Sequence, residues 1–352
     1  MCKQISLILI FFLCLQVVAA EHPTATELLE KYAQTQDKLK SSILKYEDEY
    51  SGRSKMSFLP GWERPRILKG GYIGEVRSDG QRHYNREKIW ENARPDLPQS
   101  NELAESDPRY LSHLWDGENQ YQYLRSNVEA ENDRLFLTPK GHERAQGDWI
   151  IETQRSKALF GFFEDTFAKA PNNFKRIDVE LQKARAISVQ DQMDDVNGSK
   201  CWVITARTKT SKYKIWIDPS HGYNIVRVEI SRQWQDSDIH RPEEISLFTY
   251  LKNVRFKVVD DVWVPVEADY GADWKYIKQG YLQYDHHHKI TDFLLNPDHA
   301  ALDSFSLGYI RNGTKTNIIG VKGIEYTWQD GQLIDDEGNV IMDCRPKKST
   351  KK

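Results

Sequence analysis

Tyr213-Lys214-Ile215-Trp216-Ile217-Asp218-Pro219-Ser220-His221-Gly222-Tyr223-Asn224-Ile225-Val226-Arg227-Val228-Glu229 is the stretch that decides the fold class. Tyr213, Ile215 and Ile217 share one parity, and the run stops at Asp-Pro, where the proline ring removes the amide that a strand ladder would need. Gly222 allows the positive φ of a tight turn, after which Val226, Val228 and Ile230 resume a period of two. The pattern predicts antiparallel strands over 213–217 and 223–231.

The same punctuation recurs outward in both directions. Asp79-Gly80 separates 71–76 from 82–88, Asp116-Gly117 separates 110–115 from 119–125, and Asn197-Gly198 separates 187–194 from 200–207. Asp-Gly and Asn-Gly supply the positive φ angles of two-residue hairpin turns. Asp260-Asp261 turns 253–259 into 262–270, where Val262, Val264 and Val266 alternate, and strands are expected at 277–284 and 286–294. Asp330-Gly331 and Glu337-Gly338 punctuate the end. Serial hairpins of this number accumulate twist and expose edges, so they curl. The expected fold is mainly β with a few helices: a half-open antiparallel β-barrel of ten or more strands, with an N-terminal helix and short helices over its opening.

Thr24 followed by Glu27 reads as a capping box, and Leu28, Leu29, Tyr32, Leu39 and Ile43 continue at helical spacing. Beyond it, Leu44, Tyr46, Asp48 and Tyr50 share a parity opposite Lys45, Glu47 and Glu49. Residues 156–167 hold Leu159, Phe160, Phe162, Phe163 and Phe167 around Gly161, which reads as a short aromatic helix, with 173–186 helical after it. These phenylalanines belong to the core or to a lid over the sheet, and both readings require burial.

The first twenty residues have the three parts of a secretory signal: Lys3, an apolar run over 5–18, and Val18-Ala19-Ala20 before Glu21. The run is shorter than the roughly 20 residues of a spanning helix. Cys14 follows Leu13, which is not the small residue a lipid-attachment site needs. An exported protein of the periplasm or cell envelope is expected: signal peptide 1–20, one β domain over 21–342, and a basic tail over 343–352. Of the four cysteines, Cys2 and Cys14 leave with the signal. Cys201 and Cys344 remain in an oxidising compartment, where they could pair if geometry allows. The formal net charge of −3 is small and both signs are mixed along the chain, which excludes the basic footprint of a nucleic-acid binder.

A signal segment, an amphipathic helix and a long meander broken by apolar helices together resemble the outer-membrane lipoprotein carrier superfamily. That superfamily includes the periplasmic lipoprotein carrier, its outer-membrane receptor and the sensor domain of an envelope-stress regulator. The segment 213–229, with Asp218-Pro219 and the returning Arg227, is similar to a strand–turn–strand of that family, and Val262-Trp263-Val264-Pro265 resembles a later strand. Asn296-Pro297-Asp298-His299, Asn312-Gly313-Thr314 and residues 326–331 look like pieces of lipoprotein-sorting proteins from planctomycete-type envelopes. The resemblance implies an apolar concave face holding lipid or lipoprotein acyl chains, each buried methylene worth about 0.8 kcal/mol. It also implies a moving lid and a transient membrane or protein partner in the envelope. Cavity and lid candidates are Tyr213, Ile215, Ile217, Val226, Val228, Ile230, Val262, Val264 and Val266 with Leu159, Phe160, Phe162, Phe163 and Phe167.

Chemistry-bearing motifs are few. His286 and His288 would point to one side of a strand, with Asp285 and His287 opposite. They read as surface histidines, or more sharply as two ligands of a metal lacking further ligands by spacing. Gly-x-Ser-x-Gly and His-Glu-x-x-His are both missing. Glu164 and Asp165 are sequence neighbours whose side chains diverge. No enzyme and no cofactor is expected. Trp115, Tyr121, Tyr123, Trp202, Trp216, Trp234, Trp263, Trp274 and Trp328 read as β-core residues. Their alternative is a glycan platform on an envelope scaffold or glycan-binding protein.

Overall fold

The computed structural model describes residues 22–57, 64–91, 110–126, 130–140, 155–165, 173–234, 245–276 and 280–345. The signal-like segment, Phe167 and the lysines of the C-terminal tail lie outside them.

Thr24 forms the capping box that its spacing predicts. Its hydroxyl accepts from the Glu27 amide at 3.2 Å, and the Glu27 carboxylate accepts from the Thr24 amide at 2.7 Å. Helix α1 (Ala25–Asp37) follows. It stops short of Leu39 and Ile43, because the amides of Lys38 and Leu39 turn back to the carbonyls of Thr35 and Gln36. The chain then enters β1 (Ser41–Met56), so Ile43 is a strand residue.

The remaining strands are β2 (Arg66–Asp79), β3 (His83–Glu91), β4 (Tyr110–Trp115), β5 (Asn119–Arg125), β6 (Arg134–Pro139), β7 (Phe162–Asp165) and β8 (Asn173–Arg176). After α2 (Ile177–Leu181) come β9 (Ala186–Val189), β10 (Asp194–Val196), β11 (Ser199–Arg207), β12 (Ser211–Asp218), β13 (Asn224–Trp234), β14 (Ile245–Val259), β15 (Val262–Tyr276) and β16 (Gly280–Leu295). The C-terminal part adds β17 (Lys315–Ile318), β18 (Tyr326–Gln329), β19 (Gln332–Ile334) and β20 (Val340–Asp343).

Among the described residues, eighteen strands make one sheet and β7 pairs with β8 apart from it. From one edge, β9 and β10 both pair with β11, and the order continues through β12, β13, β14, β15 and β16 to β1. Beyond β1 it runs through β2, β3, β4, β5 and β6 to β17, β18, β19 and β20. The sheet is antiparallel except where β6 meets β17 in parallel. It does not close: β20 and the β9/β10 edge pair no further among the described residues.

Several elements differ from the sequence reading. The strands expected at 277–284 and 286–294 are, from Gly280 onward, one strand, β16, since nothing in Asp285-His286 breaks a ladder; 277–279 lie outside the described residues. The strand expected at 187–194 is split into β9 and β10, which pair with opposite ends of β11. The aromatic helix expected at 156–167 is a 3-10 turn over Arg155–Phe160 that ends at Gly161. Gly161 has φ 75°, a left-handed conformation that no helix continues through, and β7 begins directly after it. The helix expected over 173–186 shrinks to α2 between β8 and β9.

Two large buried clusters lie on this continuous sheet. In the first, Leu28, Leu29 and Tyr32 of α1 pack with Ile204, Ile215, Ile217, Ile225, Val228 and Ile230. Each such full burial is worth roughly 1.5–3 kcal/mol. The second gathers Tyr121, Tyr123, Leu135, Leu137, Trp328 and Leu333 near the C-terminal edge. There Arg311 donates to both oxygens of the buried Asp133 at 2.6 and 2.8 Å, and the Tyr123 hydroxyl donates to it at 2.5 Å.

One packing device crosses strands. Tyr46 of β1 stands opposite Gly74 of β2, which stands opposite Glu87 of β3. The Tyr46 ring lies over Gly74, and its hydroxyl donates to the buried Glu87 at 3.2 Å. A Cβ at Gly74 would overlap that ring. Gly74→Ala is therefore expected to destabilise the protein by about 1–3 kcal/mol through overpacking, read as a lowered urea midpoint. The same change in a Tyr46→Ala background should cost much less, because the struck ring is gone.

Candidate functional site

A cleft of about 200 Å³ opens where the end of α1, the start of β1, the β2–β3 turn and the 155–162 segment meet. Leu39, Leu44, Val76, Phe160 and Phe162 give it an apolar lining, and Lys40, Lys157, Arg176 and His83 are its basic groups. Among the described residues no carboxylate lines it. The acids that hold its cations stand behind them. Arg176 donates to Asp178 at 2.6 and 2.8 Å and to Asp37 at 3.2 Å, and Lys40 pairs with Asp37 at 3.0 Å.

The covering segment is positioned by glycine. The Tyr32 hydroxyl donates to the Phe160 carbonyl at 2.9 Å, and the Ile177 amide donates to the Gly161 carbonyl at 3.0 Å. A Cβ at Gly161 would collide with the Tyr32 hydroxyl. Leu159 and Phe163 point into the first core, while Phe160 and Phe162 stay half-buried at the cleft. Strand alternation across Phe162-Phe163 produces that division.

The other candidate residues are placed as follows. Tyr213, Ile215, Ile217, Val228 and Ile230 are buried in the first core under α1. Val226 leaves their face. A bulge opposite Trp216/Ile217 reverses the parity, so Val226 packs with Cys201, Val203 and Trp216. Val264 sits with Leu39 and Leu295, and Val262 and Val266 pack against them. The concave face thus holds the protein's own side chains at these positions, leaving the cleft at its rim. Its volume lies below the roughly 300–1,000 Å³ of ordinary ligand pockets, so it admits the end of one chain in this conformation.

Cys201 and Cys344 do not pair; both are free. Cys201 belongs to the small cluster behind β11, whereas Cys344 packs against the second core. Burial pushes the thiol of Cys201 up to about 12 and that of Cys344 up to about 11.

His286 and His288 share a face, as their spacing predicts, but that face is interior. Asp48 of β1 lies opposite His288. It accepts from His286 Nδ1 at 2.6 Å, from His288 Nδ1 at 3.0 Å and from the Tyr270 hydroxyl at 2.9 Å. The side chains of Asp48 and His288 are fully buried, and Tyr270 stacks on His286 with centroids 4.6 Å apart. Among the described residues, His288 Nε2 has no hydrogen-bond partner. Both histidines spend Nδ1 on the carboxylate, and among the described residues no group of three or more His, Cys, Asp or Glu is arranged to hold a metal. Asp48 was not singled out from sequence, yet a signal was there: it shares parity with Leu44 and Tyr46 on a strand whose other parity is charged. The basic groups of the cleft carried no such signal.

No protein-family model matches this chain, and no curated protein matches it. Among solved structures, the crystal structure of MucB in complex with MucA(peri) is similar at 8% sequence identity and a TM-score of 0.20, over 78% of this chain and 99% of that one. A likeness of that degree carries no inference about this chain.

Burial alone would raise the Asp48 carboxyl, but the hydrogen bonds and charge of His286 and His288 outweigh it and hold it well below the ordinary carboxylate range. Its contribution to stability is therefore complete above the unfolded value of about 3.9 and is lost as pH falls below that value toward the folded one. Asp48→Asn is expected to cost about 3–5 kcal/mol near neutrality, as breaking a buried pair does. Urea unfolding followed below about pH 4 should also decline less steeply with acid than in the parent.

Proposed function

We propose that the protein is an exported binding protein of the cell envelope that takes up the chain end of an anionic amphiphile in the cleft beneath Phe160 and Phe162. One observation carries this reading: an apolar recess whose charged lining groups, among the described residues, are all cations. Leu44 and Val76 would bury methylenes, at about 0.8 kcal/mol each. Lys40, Lys157 and Arg176 would face the headgroup, as a carboxylate or phosphate requires. Displacement of the Phe160–Phe162 segment would lengthen the recess, in exchange for its bonds to Tyr32 and Ile177 and the pairing of Phe162 with Arg176. Carriage or sensing of lipid or lipoprotein acyl chains, with a transient envelope partner, is the role this chemistry serves. It is a binding role, with no catalysis and no cofactor.

Dansyl-undecanoic acid is the probe. Uptake with one-to-one stoichiometry is expected, displaced by dodecanoate more strongly than by dodecanol. Phe160→Ser combined with Phe162→Ser should weaken uptake at least tenfold, about 1.4 kcal/mol. Lys157→Glu should narrow the gap between dodecanoate and dodecanol. Absence of uptake by the parent protein, or equal displacement by the acid and the alcohol, would remove the proposal.

A further inference from the structure

The face of the sheet opposite α1 holds two clefts that run into each other, of about 710 and 460 Å³, with Asp269 and His287 in the lining of both. Each is within the range of ordinary ligand sites, and neither shares a residue with the rim cleft.

Their walls come from interruptions of regular pairing. The register of β14 against β15 slips at Lys252/Arg255 and again at Arg255/Phe256, with Asn253 at φ 55°. Bulges of this kind re-aim side chains and are frequent beside functional sites. Here the Asn253 amide is turned onto Asp269 at 2.6 Å. His287 Nδ1 donates to the other oxygen of Asp269 at 2.8 Å, and its Nε2 lies 3.8 Å from Glu267. On the far wall Asp218 holds His221 at 2.5 Å, and His221 stacks on Phe256 with centroids 4.8 Å apart.

The second cleft repeats the tyrosine-over-glycine device. Tyr250, Gly271 and Asp285 stand in one cross-strand row. The Tyr250 hydroxyl, passing over Gly271, donates to Asp285. Lys69, Lys252 and Glu49 also line this cleft, beside Tyr50 and His286. Its polar groups are fixed by one another yet open to solvent: the His287 side chain is 51% and that of Asp269 31% exposed.

Cross-strand charge pairs on a solvated face would explain the row Lys252–Asp269–His287–Glu49 by themselves. They do not explain two joined concavities with carboxylates, an amide, imidazoles and ammonium groups converging on them. Among the described residues the lining holds five carboxylates and three cations, and Asp218, Asp269 and Asp285 already accept from His221, His287 and Tyr250, so an ionic ligand would have to displace those bonds. A ligand that meets such a lining needs groups that donate to carboxylates and accept from lysines at the same time. Hydroxyl groups do both.

We propose that this outer groove binds an uncharged polyhydroxylated chain, an oligosaccharide, with Asp269 and His287 at the junction of its two halves. The site is separate from the amphiphile cleft and stands or falls independently of it. The test is an NMR titration of the mature protein with chitotetraose, maltotetraose and cellotetraose, following the His287 and His221 imidazole resonances, with tetralysine in parallel. At least one tetrasaccharide is expected to shift the His287 resonances saturably. Asp269→Asn, and separately the exposed Lys252→Ala, should each weaken that binding at least tenfold. The proposal is overturned if no tetrasaccharide shifts His287, if both variants bind as the parent does, or if tetralysine alone occupies the groove, which would make it a site for cationic peptide.

Discussion

The pairing of β1 with β16 is the constraint on which the rest of the molecule depends. It joins the first strand of the chain to one that begins more than two hundred residues later, and it places β1 at the centre of the sheet with β2 on its other side. Such a long-range contact carries a large loop-closure cost before it returns any stabilisation. Its register is fixed by chemistry as well as by parity. A slip of one residue would turn Asp48 out to solvent and put Glu47 or Glu49 against the buried faces of His286 and His288. Asp48 therefore acts as a key: a carboxylate with two imidazole donors and a phenol donor fits one alignment of these strands.

The same economy governs the neighbouring strands. Polar groups inside a sheet must find partners, and strand spacing limits which ones they can reach. Tyr46 and Tyr250 each reach a carboxylate two strands away because the intervening residue is glycine, Gly74 in one case and Gly271 in the other. One device serves the inner face and the other the outer face. On the inner face it satisfies Glu87 in the core. On the outer face it fixes Asp285 at the wall of an open groove. A glycine within a strand weakens it locally, so its presence opposite a tyrosine identifies a position where a ring crosses the sheet.

Turns were the most legible part of the sequence. Gly80, Gly117, Gly198 and Gly331 all have φ above 80°, as the Asp-Gly and Asn-Gly pairs require, and the strands 110–115 and 119–125 have the bounds that alternation predicts. Local pattern failed where a neighbour distant in sequence decided the outcome. The apolar run around Phe160 has helical spacing, but Gly161 is held against Tyr32 of α1, and a helix is excluded there. Val226 has the parity of Val228, but a bulge across the strand pair turns it away. The parallel meeting of β6 with β17 has no hairpin signal to announce it. The site was partly legible for the same reason: the phenylalanines of the cleft are visible in composition, whereas its lysines and arginine come from α1's end, the 3-10 turn and β8, which nothing local brings together.

The two faces of one sheet also explain where ligands can and cannot go. A curled sheet must cover its apolar concave face, and α1, the 3-10 turn and α2 do so with Leu28, Leu29, Tyr32, Leu159 and Ile177. Covering by three short pieces leaves seams. The rim cleft lies at one such seam, between the core under α1 and the small cluster of Leu39, Val264 and Leu295, with Phe160 packed against both. A residue in contact with two clusters but buried by neither can be displaced without opening the core. The outer face is largely polar apart from the small cluster of Cys201, Val203, Trp216 and Val226, and its concavities lie where bulges and turns disturb the pleat. The architecture thus permits an apolar recess at the edge of one face and a polar groove across the other, and it leaves the centre of the inner face to the Asp48 junction that holds the strands in register.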